Sequence, residues 1–356
     1  MAAADELFDA DAIDRGRRYH RPRYAALAAN LTVAVAVPGI VAAVRPELPV
    51  AWWGEAPALA GLVVLAVRLV QLPVSFWAGY LHERKWLLST QSAAGWASDR
   101  AKGTAIGLLL TGGAMLVVVA LARALPAVWP LAAGAAAAAL VLLLGFVAPV
   151  VLEPLFNRFR PLEEPVLREW LLRLAERAGA PVREVLVADA SRRTTKLNAY
   201  VSGLGASRRV VLFDTLLERA GGGEVAVVVA HELAHRRERH VTKLTLGGMA
   251  GAAGAVVVLW AAVGERAGDP ANVPLLLLLV AALELFVLPV GAAVSRRFER
   301  TADRVALELT RDRDAFEAVF RRLAEENVAD LDPPAAVRLI STHPPIPARI
   351  TAARRS

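Results

Sequence analysis

Apolar runs at 25–44, 56–80, 104–122, 130–152, 244–263 and 274–294 constrain this chain more than any other feature of its sequence. Each has about the 20 residues that a helix needs to cross the hydrocarbon core of a bilayer. A single run of this kind could be a buried helix in a large soluble protein, but its sixfold repetition argues against that reading. Hydrophobic residues make up 56% of the 356 positions, an excess that these runs account for. The sequence predicts a mainly α-helical polytopic membrane protein with about six transmembrane helices.

Charge orients the spans. Arg15, Arg17, Arg18, Arg21 and Arg23 precede the first, and Arg84, Lys85, Arg100 and Lys102 lie between the second and third. The loops at 45–55, 123–129 and 264–273 carry one arginine each, Arg45, Arg123 and Arg266. Cytoplasmic loops collect Lys and Arg, so both termini and the polar stretches 153–243 and 296–356 are expected in the cytoplasm of a multi-pass plasma-membrane protein. The first 23 residues are too long and polar for the n-region of a cleavable signal peptide, and none is expected. A net charge of +7 would suit nucleic acid. The arginines flank apolar runs, however, so the expected partner is the lipid bilayer and not nucleic acid. No sequence feature assigns an oligomeric state.

The chain then divides into an N-terminal membrane region with four spans (1–152), a polar piece (153–243), a membrane hairpin (244–295) and a second polar piece (296–356). The two polar pieces are expected to form one cytoplasmic domain. In the first, 163–178 reads as an amphipathic helix, and 185–187 and 199–201 have strand character. Gly203, Gly205 and Ser207 suggest a turn into 209–213, giving a hairpin and a small β-sheet. After the breaker Gly221-Gly222-Gly223, residues 224–240 have helix-forming composition. The second piece opens with helices expected at 295–310 and 315–326.

The chain has no cysteine, which excludes disulfides, a thiol nucleophile and thiolate metal sites. Any zinc site must use His and carboxylates. His231-Glu232-Leu233-Ala234-His235 lies on the helix expected at 224–240. The i, i+4 spacing puts both imidazoles on one face, where they can share a metal ion. Glu232 is placed as general base toward a water acidified by zinc, the chemistry of peptide hydrolysis. One Zn2+ per chain is expected, and a catalytic zinc takes a third protein ligand and keeps one open position. The candidate is Glu299, four residues before Asp303. Like charges at that spacing are unfavourable unless a cation lies opposite. Zinc and its imidazoles would supply one, with Asp303 accepting from a ligand's outer N–H. On spacing alone a solvated helix balanced by Arg296 and Arg300 stays open. His240 is rotated off the metal face and reads as structural.

The chain resembles the type I CAAX prenyl protease (a-factor-converting) family of integral-membrane zinc endopeptidases. The resemblance is carried by Leu88-Ser89-Thr90-Gln91-Ser92, Lys196-Leu197-Asn198-Ala199-Tyr200, Val211-Leu212-Phe213-Asp214-Thr215-Leu216, the HELAH segment through His240, the segment from Glu299 to Asp303, and His343-Pro344-Pro345 with Arg349-Ile350. It covers most of 80–350 in the family's order. It implies Glu299 as third ligand with Asp303 behind it, and Asn198 on an edge strand that aligns the substrate by strand addition. It also implies His343 and Arg349 as substrate or transition-state groups, His343 as a donor to the oxyanion. Seven spans around a large intramembrane chamber follow from it as well, against the six runs counted here. The expected substrate is a peptide or membrane-associated protein, prenylated only as far as the resemblance goes. An HtpX-like quality-control protease is the alternative, with fewer spans ahead of its catalytic domain. A catalytically inactive membrane scaffold is disfavoured by the intact Glu232.

Arg68 and Glu284 fall near the middle of their spans. A charge at that depth normally faces protein or water. Both are expected to point inward, paired with each other or lining a hydrated chamber.

Overall fold

Inside a bilayer every backbone N–H and C=O must be satisfied within the protein, and a helix does this locally. All six apolar runs are helical in the computed structural model, which describes residues 2–203 and 208–355. Gly205 and Ser207 of the expected turn lie outside the described residues. The spans lie within Ala10–Val44, Trp52–Lys85, Ala93–Ala124, Trp129–Phe156, His240–Gly268 and Pro270–Thr310. Two of them widen into π-helical turns, at Trp77–Leu81 just after Pro73 and at Ala148–Leu152 around Pro149.

Neighbouring spans touch in a closed ring, each on the next and the sixth back on the first. The apolar stretch of the first span is only 6% buried and that of the fourth 0%. A helix in a filled bundle would bury a whole face, so the spans form a wall and not a core. They pack tightly at one end, through Ala56, Leu59, Val119, Trp129, Leu259 and Leu276. These residues flank the loops at 45–51, 125–128 and 264–272, so the plug closes the end of the ring away from the polar domain.

At the other end the domain is built on a four-stranded sheet: β1 (Phe159–Pro161), β2 (Glu184–Ala188), β3 (Ala199–Ser202) and β4 (Arg209–Phe213), in the order β1-β2-β4-β3. β2 and β4 are parallel and the other pairs antiparallel. The expected hairpin is the β3–β4 pair, registered Ala199 to Leu212 and Ser202 to Arg209. β3 is therefore an edge strand. Helix Pro165–Arg177 and the metal helix Gly222–Arg237 bury Leu171, Leu174, Val229 and Leu233 against Val185 and Leu212. The metal helix ends before the expected 240. Arg239 adopts a left-handed conformation (φ 55°), and His240 starts the next helix.

The helix expected to begin at 295 is corrected by the structure. Val273–Thr310 is one helix of 38 residues, with Pro289 inside it. No breaker separates Val294 from Ser295, so the apolar run and the polar helix join, and the boundary at 295/296 falls within a single element. The first span is as continuous. Its 35 residues reach about 52 Å at 1.5 Å per residue, well beyond the membrane. Ile13, with Leu7 and Phe8, packs on Phe316, Phe320 and Ile350 of the domain.

Arg68 and Glu284 are both exposed. Arg68 lines a cavity of about 320 Å3 with Gln91, Asp99 and Arg100. Among the described residues no ion pair joins it to Glu284, so the paired arrangement is not the one adopted.

The ring order has a direct check. A Cβ at Gly39 would lie 3.7 Å from Leu278. In this cysteine-free chain, Gly39→Cys with Leu278→Cys should couple through a short bis-maleimide, whereas Gly39→Cys with Gly145→Cys should not. The reverse pattern would break the ring.

Candidate metal centre

The metal helix starts at Gly221, whose N–H is accepted by the Glu224 carboxylate. Its apolar side (Val225, Val229, Leu233) enters the domain core, which fixes the roll of the helix and turns His231 and His235 outward. The sixth-span helix crosses it where Ala234 meets Ala302 and Val305. Small side chains at that contact let the two backbones approach, and Glu299 and Asp303 arrive opposite the histidines.

His231 Nε2 and His235 Nε2 are 3.2 Å apart. Glu299 Oε2 is 3.4 Å from the first and Oε1 is 3.3 Å from the second. Behind them, His231 Nδ1 faces Asp303 Oδ1 at 3.0 Å. That contact assigns the imidazole proton to Nδ1 and leaves the Nε2 lone pair aimed at Glu299 and His235. His235 Nδ1 meets His240 Nδ1 at 3.0 Å, and His240 stacks on Phe298 with centroids 4.1 Å apart. Glu299 Oε2 is buried with no hydrogen-bond partner.

Two imidazole lone pairs and a carboxylate facing one another require a positive charge between them. A proton on His231 is one solution. Burial disfavours the imidazolium, but the Asp303 and Glu299 carboxylates that face the ring outweigh it and raise this histidine to about 9. A divalent ion is the other. Two imidazole nitrogens and one carboxylate, each imidazole with its outer nitrogen engaged, are the donor set of a three-ligand zinc site. The residues present fit that ion. Glu232 sits beside His231 on the same helix, where burial raises its carboxyl above the ordinary value against the pull of His231 and His235.

Arg349 was expected to meet substrate or the transition state. Its side chain is only 9% exposed, and its Nε donates to Asp303 at 2.8 Å while Nη2 donates to the other carboxylate oxygen. The guanidinium lies over the Phe320 ring, and Nη2 is 3.6 Å from Glu299 Oε2. These contacts clamp the carboxylate that orients His231. His343 is open to solvent, with Nε2 3.5 Å from Glu299 Oε1. Asn198 is exposed at the head of β3, its Oδ1 accepting from the Ala199 N–H.

Sequence reasoning missed the role of His240 behind His235 and a buried ionic network that anchors β3. Glu83 accepts from the Tyr19 hydroxyl and pairs with Arg23 and Lys196. Asn327 then bonds both the N–H and the C=O of Leu197. The i, i+4 pair Tyr19 and Arg23 was the available signal.

Comparison with known proteins follows the same lines. The profile of peptidase family M48 matches residues 161–356, and that of the CAAX prenyl protease N-terminal region, five membrane helices, matches 52–158. The uncharacterized metalloprotease YhfN of Bacillus subtilis is 34% identical over 305 residues, which cover 82% of this chain and 71% of that protein. CAAX prenyl protease 1 of Saccharomyces cerevisiae is 29% identical over 187 residues, 52% of this chain but only 41% of that one. The crystal structure of S. mikatae Ste24p superposes with a TM-score of 0.82, covering 98% of this chain and 90% of the other at 21% identity. That likeness is one of fold.

Glu299→Ala should lose stoichiometric zinc, measured by metal analysis after chelator dialysis. Asp303→Asn should weaken zinc affinity about 10- to 100-fold. Wild-type zinc retention in Glu299→Ala would remove it from the ligand set.

Proposed function

This chain belongs to peptidase family M48 and is a membrane zinc metalloendopeptidase, and within that family we propose that His231, His235 and Glu299 hold one zinc ion and that Glu232 is the general base. The observation that carries the reading is the convergence of two imidazole nitrogens and a carboxylate, with Glu299 Oε2 left unpartnered. When bound, zinc supplies Lewis acidity, acidifying water and polarising the scissile carbonyl. Glu232 takes the proton of the attacking water and delivers it to the leaving amine. His343, solvent-open beside Glu299, donates to the oxyanion as it forms. Asp303 fixes the tautomer of His231, and Arg349 fixes Asp303, so Arg349 acts as a positioning residue.

A peptide substrate lies along the outer edge of β3, adding a strand to the sheet with Asn198 at its head. We propose a membrane-associated peptide or protein as the substrate class. Relatives named CAAX prenyl proteases make a prenylated C-terminus one candidate. Arg68 and Glu284, both exposed on the ring wall, would line a hydrated interior above the metal. The chain would sit in the plasma membrane with both termini and the catalytic domain, assembled from 153–243 and 296–356, in the cytoplasm. The arginine asymmetry of the loops supports this topology.

Glu232→Gln should lower peptide cleavage by at least about 10²-fold while zinc content stays at the wild-type level. Cleavage close to wild type would remove Glu232 as the base. For the topology, Glu218→Cys should resist a membrane-impermeant thiol reagent in intact cells and react after lysis. Labelling from outside would invert the orientation. Glu284→Leu should impair long or lipidated substrates more than short soluble peptides, and equal loss on both would make its role structural.

A further inference from the structure

Where the metal helix gives way to the fifth span lies a cavity of about 740 Å3, walled in part by His235, to which the proposed hydrolysis assigns no role. Arg177, Arg208, Arg236, Arg237 and Arg239 line it. Of these only Arg237 has a carboxylate within 4.0 Å among the described residues, that of Glu238. Arg236 gives one Nη to the Gly203 carbonyl, yet its Nε and that of Arg208 are buried without a partner. Gathered guanidinium groups with unbonded buried N–H are unfavourable until an anion with several acceptor oxygens enters among them. A phosphate, which guanidinium binds in a bidentate fork, meets that requirement.

The position of the cavity says where such a phosphate would come from. Val241 and Thr242, in the first turn of the fifth-span helix, complete its wall. Beyond the exposed Lys243, Leu244 and Leu246 of the same helix are apolar and open, at 50% and 60% exposure. The cavity therefore sits on the seam between bilayer and domain, with apolar surface running from its mouth into the membrane. We infer that it binds the phosphate headgroup of an anionic phospholipid, from the leaflet that borders the domain, with the acyl chains along the start of the fifth span. A lipid held there joins Arg177 and Arg208 of the sheet side to Arg239 of the membrane side, next to His235.

The test is native mass spectrometry of the full-length, zinc-loaded protein in detergent, titrated with phosphatidylglycerol or phosphatidylcholine. Each arginine near a membrane surface contributes about a fivefold change in affinity for an anionic headgroup. Arg177→Gln with Arg208→Gln should accordingly retain phosphatidylglycerol roughly tenfold or more less tightly than wild type, with phosphatidylcholine unaffected. Zinc content reports that the variant is folded. If the double variant loses zinc, the single exposed change Arg239→Gln gives the comparison, with a loss of about fivefold. Equal phosphatidylglycerol retention by wild type and a zinc-replete variant overturns the inference. So does full displacement of the lipid by millimolar inorganic phosphate, which would mark a site for a soluble anion.

Discussion

The mutual repulsion of two imidazole lone pairs and one carboxylate, held together away from water, is the interaction around which this molecule is organised. His231 and His235 come from one helix and Glu299 from another, so whatever charge settles the repulsion also fastens those helices together. The supports behind them are polar in turn. Asp303 is held by Arg349, which rests on Phe320, and His235 is backed by His240, stacked on Phe298. Each buried polar group is made tolerable by the next until the chain of contacts ends on an aromatic face. Removing a middle member leaves a charge stranded, which costs more than the contact itself contributes.

The membrane part supplies the frame in which this can stand. A ring of helices with little burial of its own has its packed core only at the far end, around Trp129 and Leu59. At the near end the ring is fixed by the domain. The first span continues into it through Tyr19, Arg23 and Ile13, and the sixth through Glu299 and Asp303. The Glu83 network and Asn327 carry that fixing on to Leu197, immediately before the edge strand. Span, histidine–carboxylate cluster and edge strand are thus one mechanical unit.

Local spacing made much of this readable from the sequence. The apolar runs, the i, i+4 histidines and the four-residue interval from Glu299 to Asp303 are each fixed by a helical period that the sequence states directly. The hairpin around 203 was legible because alternation and glycine occur side by side. Features that depend on distant partners were not. Nothing near Arg349 in sequence hints at its contact with Asp303, and the turn at Arg239 that brings the structural His240 back behind His235 is not encoded by periodicity. The three-residue β1 has too little pattern to see. The join at 294/295 was missed for a different reason: a change from apolar to polar composition marks the edge of the membrane, not the end of a helix.

That join makes the sixth helix a lever. Its pivot is Pro289, which removes one rung of the hydrogen-bond ladder inside the membrane. Ten residues beyond it, about 15 Å along the axis, is Glu299, so a change of about 5° in the bend moves that carboxylate by about 1 Å. A displacement of that size at a reacting centre is worth roughly a hundredfold in rate. Bilayers of different thickness impose different tilts on a helix of fixed apolar length. A bilayer that altered the tilt of this helix would accordingly shift the Glu299 carboxylate against His231 and His235, because membrane span and carboxylate share a single rod.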